Sequence, residues 1–159
     1  DERSRDTVYR CFDDSDMGWI APVGRLDKAS EGLLLFSNDP QWAARVTDPA
    51  TGPSKTYHVQ VCGIPDDVAL HRMRQGVQDR GERLTAASAR MLRVGERNAW
   101  LEIVLGEGRN RQIRRILQAL DFEVLRLVRV SIGRVALGEL AKGAWRELSA
   151  DEIAALVGD

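Results

Sequence analysis

Residues 100–120 of the chain read WLEIVLGEGRNRQIRRILQAL, and this stretch predicts a strand, a glycine-rich turn and a helix in direct succession. In residues 100–105 a more polar face alternates with an apolar face, which is typical of a half-buried strand. Gly106 and Gly108 follow at once and indicate the turn. The stretch therefore predicts a sheet strand that leads directly into a helix.

The helix of this stretch is predicted over residues 110–120. Its apolar side chains recur at the spacing of one helical face: Ile113, Ile116, Leu117 and Leu120. Arg111 and Arg115 fall roughly opposite this apolar stripe, whereas Arg114 lies on its flank. We therefore expect the helix to pack on a core, to present Arg111 and Arg115 outward, and to hold Arg114 at the boundary.

The rest of the chain is predicted to contain mainly strands, with helices interspersed and no regular strand–helix–strand alternation. The predicted strands occupy residues 33–36, 56–61, 86–92 and 122–130, with a hairpin at 77–83. Two predicted helices occupy residues 41–46 and 150–157, and a third is capped by residues 65–67 and ends near residue 75. Ser149 and Glu152 form a capping box for the last helix. This pattern predicts the α+β class with a long mixed or antiparallel sheet.

The composition predicts an ordinary globular protein. The chain has 159 residues and a formal net charge of −1, which fits a single domain over residues 1–159. It shows no signal peptide and no apolar run of the ~20 residues that a membrane span needs. Two cysteines and two histidines without metal spacing argue against a zinc site and indicate reduced thiols in a cytoplasmic protein. Residues 1–16 are expected to be partly disordered.

Arginine is concentrated in one segment, residues 109–134. Against two acids, Asp121 and Glu123, the segment carries seven arginines: Arg109, Arg111, Arg114, Arg115, Arg126, Arg129 and Arg134. Arginine pairs bidentately with phosphate and stacks on bases, so the segment indicates a nucleic-acid partner. The near-neutral charge of the whole chain argues weakly against such a partner. A solvated charged face is the alternative explanation.

Two short motifs could carry chemistry. Asp27 lies between Arg25 and Lys28 in a turn that begins at Gly24, although a surface turn with a local ion pair explains the same pattern. The glycine-rich turn of residues 106–115 leads into a helix N-terminus, where free N–H groups can bind phosphate. This turn lacks the Gly-Lys-Ser/Thr of a P-loop and the glycine spacing of a dinucleotide-binding fingerprint.

The sequence resembles the RsuA-like family of ribosomal RNA pseudouridine synthases. The block GRLDKASEGLLL at residues 24–35 looks like the catalytic-aspartate motif of the family, and KTYHV at 55–59 looks like its tyrosine motif. The block EGRNRQIRR at residues 107–115 looks like its arginine motif. Residues 125–133, 137–138 and 142–148 resemble its C-terminal blocks. The blocks occur in order over about residues 23–156, nearly the whole chain.

The resemblance implies roles for individual residues. Asp27 takes the place of the essential aspartate, Tyr57 that of the tyrosine that stacks on the base, and Arg114 that of the arginine that pairs with the aspartate. Substrate contacts are implied for six further residues: Arg25, Lys55, Arg109, Arg111, Leu127 and Arg129. Among these, Leu127 matches an apolar residue that packs against the base, and the four arginines are assigned to phosphates.

The resemblance also implies a fold, an activity and a partner. The fold is a long sheet with helices and loops and a catalytic cleft across its middle, and the activity is isomerisation of uridine in ribosomal RNA without cofactor or metal. Nothing in the chain resembles the S4 RNA-binding domain of many family members. The chain therefore looks like the stand-alone members that modify large-subunit RNA, so 23S rRNA is the favoured partner and a monomer is expected. The same activity on 16S rRNA, a catalytically silent RNA-binding module and an aspartate-nucleophile hydrolase are the alternatives.

Overall fold

A computed structural model describes residues 18–108 and 111–158 of the chain. The strands are β1 (Ala21–Val23), β2 (Glu31–Gly32), β3 (Leu35–Ser37), β4 (Lys55–Cys62), β5 (Val77–Asp79), β6 (Glu82–Leu84), β7 (Ser88–Val94), β8 (Asn98–Leu105), β9 (Val124–Ile132) and β10 (Val135–Ala136). The helices are α1 (Pro40–Thr47), α2 (Asp67–Gln75), α3 (Gln112–Ala119) and α4 (Ala150–Ala155). The prediction of disorder over residues 1–16 and the phosphate contact of Arg109 fall outside the described residues.

The main sheet is mixed. Its strands lie in the order β10-β9-β4-β8-β7 with antiparallel neighbours, and the short β2 pairs with β9 in parallel. Strand β4 lies at the centre, where Tyr57 is opposite Ile103 of β8 on one side and Arg129 of β9 on the other. The predicted α+β class with a mixed sheet is confirmed.

One face of this sheet is covered by α2 and α3. In β4, Val59 and Val61 are fully buried, whereas the intervening Gln60 is only half-buried. The same alternation in β8 buries Leu101 and Ile103. These side chains meet the apolar stripe of α3 and form the larger of two cores, to which Ile113, Ile116 and Leu117 belong.

The second core lies beside the sheet and joins segments that are far apart in sequence. Its buried members come from β1, β3, α1, the end of β9, β10 and α4: Val23, Leu33, Leu35, Val46, Ile132, Val135 and Leu156. Strand β9 contributes Leu127 to the first core and Ile132 to the second. The strand therefore links the two cores, and β2 pairs with it between these two positions.

Several local predictions are confirmed. Helix α2 has Asp66 as its N-cap and ends at Gly76, and the hairpin of β5 and β6 turns at Arg80 and Gly81. The capping box of α4 is present as predicted, with Ser149 as its N-cap residue. Within the described residues, no helix combines the length and apolar character that a membrane crossing requires.

The predicted strand at residues 33–36 is confirmed only for Leu35 and Phe36, which belong to β3. The chain pairs with β9 only as far as Gly32 and then turns to pair with β1, where Leu35 lies opposite Val23. The backbone N–H of Leu33 still donates to the Arg129 carbonyl at 2.8 Å. The apolar run therefore crosses from one sheet to another instead of forming one strand.

Three predicted boundaries are also shifted. Helix α3 begins at Gln112 rather than at residue 110, because Arg111 adopts a left-handed backbone with φ of 54°. Strand β9 begins two residues later than predicted, because the N–H of Phe122 donates to Leu117 and closes the end of α3. Strand β7 also begins two residues late, since the N–H of Ala86 donates to the carbonyl of Met73.

Candidate active site

The loop between β1 and β2 carries Asp27. Its backbone carbonyl accepts a hydrogen bond from the N–H of Ser30 at 2.8 Å, which closes a tight turn around the aspartate. The side chain of Asp27 is 32% exposed, so its carboxylate is sheltered but open to solvent on one side. Gly24 begins the turn with φ of 77°, a backbone that favours glycine.

Two arginines from the start of α3 contact one oxygen of this carboxylate. Arg111 Nη1 lies 2.6 Å from Asp27 Oδ2, and Arg114 Nε lies 3.3 Å from the same oxygen. Arg114 also donates from Nη2 to the carbonyl of Ala29 at 3.0 Å, and its side chain is only 17% exposed. The structure thus brings Asp27 and Arg114 together as the sequence predicted, with Arg114 at the edge of the core.

Arg111 is a partner of Asp27 that sequence reasoning missed. The helical periodicity placed it opposite the apolar stripe, and the resemblance to the family assigned it to phosphate. Because α3 begins at Gln112, Arg111 lies outside the helix, and its left-handed backbone directs its side chain toward the aspartate loop. A non-glycine residue in this backbone region is uncommon, and such residues cluster at functional sites.

Tyr57 and Leu127 lie on neighbouring strands of the sheet. Tyr57 is half-buried in β4 and packs against the first core, on the sheet face that α3 covers. Leu127 lies in β9 opposite Val59 and is 6% exposed. The structure therefore places both residues on the face that carries Arg114, and their contact with a base stays a prediction.

The phosphate contact predicted for Arg129 is wrong. Its side chain is 3% exposed, and Nε donates to the carbonyl of Leu33 at 2.8 Å. Its Nη1 donates to the carbonyl of Arg25 at 3.2 Å. A guanidinium in this position cannot reach the backbone of an RNA. Arg129 instead ties β9 to both ends of the loop that carries Asp27.

Lys55 lies beside Arg129. Burial lowers the pKa of the Lys55 ammonium, and the positive charge of Arg129 lowers it further. The ammonium donates to the carbonyl of Pro53 at 3.4 Å. Arg25, by contrast, is an exposed residue of the aspartate loop. Substrate contacts by Lys55 and Arg25 stay predictions.

A model of the family described as "RNA pseudouridylate synthase" matches residues 2–119. The chain belongs to this family. The match includes the aspartate loop, β4 and α3, so it contains Asp27, Tyr57 and Arg114, whereas β9 lies beyond it. The resemblance to pseudouridine synthases that the motifs indicated is confirmed.

Relatives of known sequence and structure agree with the family match. The chain is 39% identical to "Ribosomal large subunit pseudouridine synthase E" of Vibrio parahaemolyticus over 143 residues, which are 81% of this chain and 60% of that protein. It is 41% identical to the protein of the same name from Xanthomonas campestris, over 80% of this chain and 76% of that one. A crystal structure of a pseudouridylate synthase superposes with a TM-score of 0.82 at 34% identity, over 95% of this chain and 65% of that one. The chain therefore spans about three fifths of the length of the Vibrio relative.

The sequence predicted that Arg115 faces solvent, but in this pseudouridylate synthase fold it does not. Its side chain is 12% exposed, with Nε 2.6 Å from Asp79 Oδ2 and Nη2 2.8 Å from Glu82 Oε1. These acids belong to the hairpin of β5 and β6, so the arginine joins α3 to that hairpin. The helical wheel could not find this contact because the hairpin lies more than thirty residues earlier in the chain.

A groove of about 420 Å³ opens beside the two arginines of the aspartate. Both basic and acidic side chains line it, and its lining residues are Arg111, Arg114, Gln118, Asp121, Phe122, Glu123 and Val124. In residues 18–108 and 111–158, no cluster of three or more His, Cys, Asp or Glu side chains could hold a metal ion. The groove shares Arg111 and Arg114 with the ion pairs of Asp27, although Asp27 itself does not line it.

Proposed function

We propose that this chain is an RNA pseudouridine synthase that converts a uridine of 23S ribosomal RNA into pseudouridine, with Asp27 as the essential residue. The observation that carries the proposal is the carboxylate of Asp27, sheltered in its loop and contacted by two guanidinium groups that also line a groove. Family membership and the names of the relatives support the reaction, and "large subunit" in those names supports 23S rRNA.

The reaction breaks the N1–C1′ bond of uridine, turns the base and joins C5 to C1′. The proton on C5 is lost to solvent, and N1, released from C1′, takes up a proton, so that the product is an isomer of uridine. The carboxylate of Asp27 can take part by attacking C1′ or by removing a proton from the ribose, and both routes need it directed at the sugar. Arg114 fixes this direction, because it is held at the same time by Ala29 and by burial.

The target uridine must leave its stack to reach Asp27, which costs a few kcal/mol. A structured RNA loop lowers this cost because its bases are already partly unstacked. Tyr57 lies on the sheet face that carries α3, which supports a role in stacking on the base and removing its C5 proton. Exposed Arg25 and Arg111 supply positive charge for the flanking phosphates.

Release of the C5 hydrogen tests this function. Ribosomal RNA labelled with tritium at C5 of uridine is incubated with the protein, and label in water is compared with pseudouridine formed. We expect release from 23S rRNA by the wild-type protein and none by Asp27→Asn, which keeps the size of the side chain and still binds RNA.

Glu102→Gln is the matched control. It also removes a carboxylate paired with an arginine, since Arg90 Nε lies 2.9 Å from Glu102 Oε1, but this pair lies on β7 and β8, away from the aspartate loop. We expect Glu102→Gln to release tritium at the wild-type rate. Release from 16S rRNA alone would refute the choice of RNA. No release from any rRNA would favour the silent RNA-binding module.

A further inference from the structure

We infer that Arg111 is an exchangeable positioning residue: it covers Asp27 in the free protein and leaves it for a phosphate when RNA binds. The inference rests on the proposed function and deepens it, because it assigns Arg111 a different task from Arg114. The observation behind it is that both arginines contact the same oxygen, Asp27 Oδ2. With both in place, that oxygen is covered by positive groups and is poorly placed to reach a ribose.

The two arginines are held to very different degrees. The side chain of Arg114 is 17% exposed and donates from Nη2 to the carbonyl of Ala29, while its Nε makes only an ion-pair contact with Asp27 and no hydrogen bond. Arg114 therefore cannot leave without breaking its bond to Ala29. The side chain of Arg111 is 49% exposed and lies at the groove. An ion pair at this exposure is weak, because water screens it and the long side chain loses freedom in forming it. Arg111 is therefore the one that a ligand can withdraw.

The charge of the groove determines which ligand withdraws it. Phosphate binds a guanidinium through two parallel hydrogen bonds, which a single carboxylate oxygen cannot match. Asp121 and Glu123 also line the groove and repel phosphate, so an RNA backbone is directed to Arg111 rather than to these acids. The exchange uncovers Asp27 Oδ2 only when RNA is present.

A double-mutant cycle on RNA affinity tests the exchange without using activity. The probe is a short oligouridylate, and its dissociation constant is measured for wild type, Asp27→Asn, Arg111→Ala and the double variant. Removing the charge of Asp27 frees Arg111 in advance, so Asp27→Asn is expected to bind about two- to fivefold more tightly, the range expected for breaking one exposed ion pair. In the Arg111→Ala background this gain should disappear, and it should shrink at high salt.

Further variants separate the exchange from general charge effects and from misfolding. Loss of a negative charge near RNA tightens binding by itself, but that effect would be the same with and without Arg111. Arg126→Ala removes an arginine of similar exposure, 52%, from its pair with Glu31, and no coupling with Asp27→Asn is expected. Arg111→Gly repeats the cycle with a residue that tolerates the φ of 54°, and Arg111→Lys should recover part of the coupling.

The outcomes distinguish the inference from the proposed function. Equal gains from Asp27→Asn in both backgrounds would overturn the exchange, as would absence of oligouridylate binding by the wild-type protein. Either result can occur in a protein that still releases tritium from 23S rRNA. A protein that releases no tritium but shows the coupling would retain the exchange as a binding device and lose the catalytic role.

Discussion

Gly32→Ala should destabilise the protein and disable the site together. Gly32 is the last residue of β2, with φ of 109°, and it pairs with Arg129 of β9. A Cβ built at this position would lie 2.7 Å from the Arg129 amide nitrogen, 2.9 Å from its carbonyl carbon and closer still to its oxygen. These are backbone atoms and cannot rotate away, so β2 and β9 must separate.

The size of the loss follows from what the separation breaks. A side chain at positive φ costs about 1 kcal/mol in strain. The backbone bond from Leu33 to Arg129 and the side-chain bond from Arg129 to Leu33, each 2.8 Å, are then stretched, at about 1 kcal/mol each. The total is about 3 kcal/mol in the free energy of unfolding. Gly81→Ala is the control, because Gly81 has φ of 79° but no atom within 4 Å of its Cβ position, and only the strain of about 1 kcal/mol applies.

Denaturant unfolding of both variants and of wild type measures these losses. Turnover is measured by tritium release under conditions where each variant is folded. Since the contact of Gly32 with β9 also fixes the aspartate loop, we expect turnover of Gly32→Ala to fall about a hundredfold, the loss typical of a misplacement near 1 Å. Equal stability of the two alanine variants, or full turnover by Gly32→Ala, would refute the reasoning.

The two neighbouring arginines of α3 should respond differently to alanine. Arg115→Ala is expected to lower the melting temperature and leave RNA affinity unchanged, because the Arg115 guanidinium is engaged with Asp79. Arg114→Ala should instead abolish tritium release. Weaker RNA binding by Arg115→Ala at an unchanged melting temperature would contradict this difference. The hydrogen bonds of Glu152 with Arg146 hold the pKa of its carboxyl at about 2, below the ordinary 4.5. The contribution of Glu152 to stability is therefore complete above pH 4.5 and is lost as the pH falls toward 2. Glu152→Gln should accordingly melt below wild type at pH 7 and together with it near pH 2, and a difference that persists at pH 2 would exclude this origin.

Much of the fold could be predicted because its signals are local. The cap of α2 at Asp66, the turn at Gly81 and the capping box at Ser149 are short patterns that fix backbone geometry directly. Strand β4 was predictable from its alternation, since Val59 and Val61 point to the core. The motifs also indicated that the aspartate and the arginine helix meet, although they lie more than eighty residues apart.

The rest depended on partners that no local pattern shows. Arg129 reads as a cation for phosphate, but the carbonyl of Leu33 lies within reach and the residue is buried. Arg115 reads as an outward-facing helix residue, but the acids of the hairpin draw it into the structure. Arg111 reads as part of a helix that actually begins one residue later. In each case a contact distant in sequence overrode a periodicity argument.

The second core has a consequence for the moment at which the site forms during synthesis. The loop of Asp27 is flanked by β1 and by residues 31–35, and these pack with Ile132, Val135 and Leu156, which a ribosome produces about a hundred residues later or more. Contacts at such separation form after local ones, and domains complete their folding once the whole unit has emerged. The larger core can assemble from β4 to β9 while the aspartate loop still lacks its support. The support of the aspartate loop is therefore complete only after Leu156 has emerged from the ribosome.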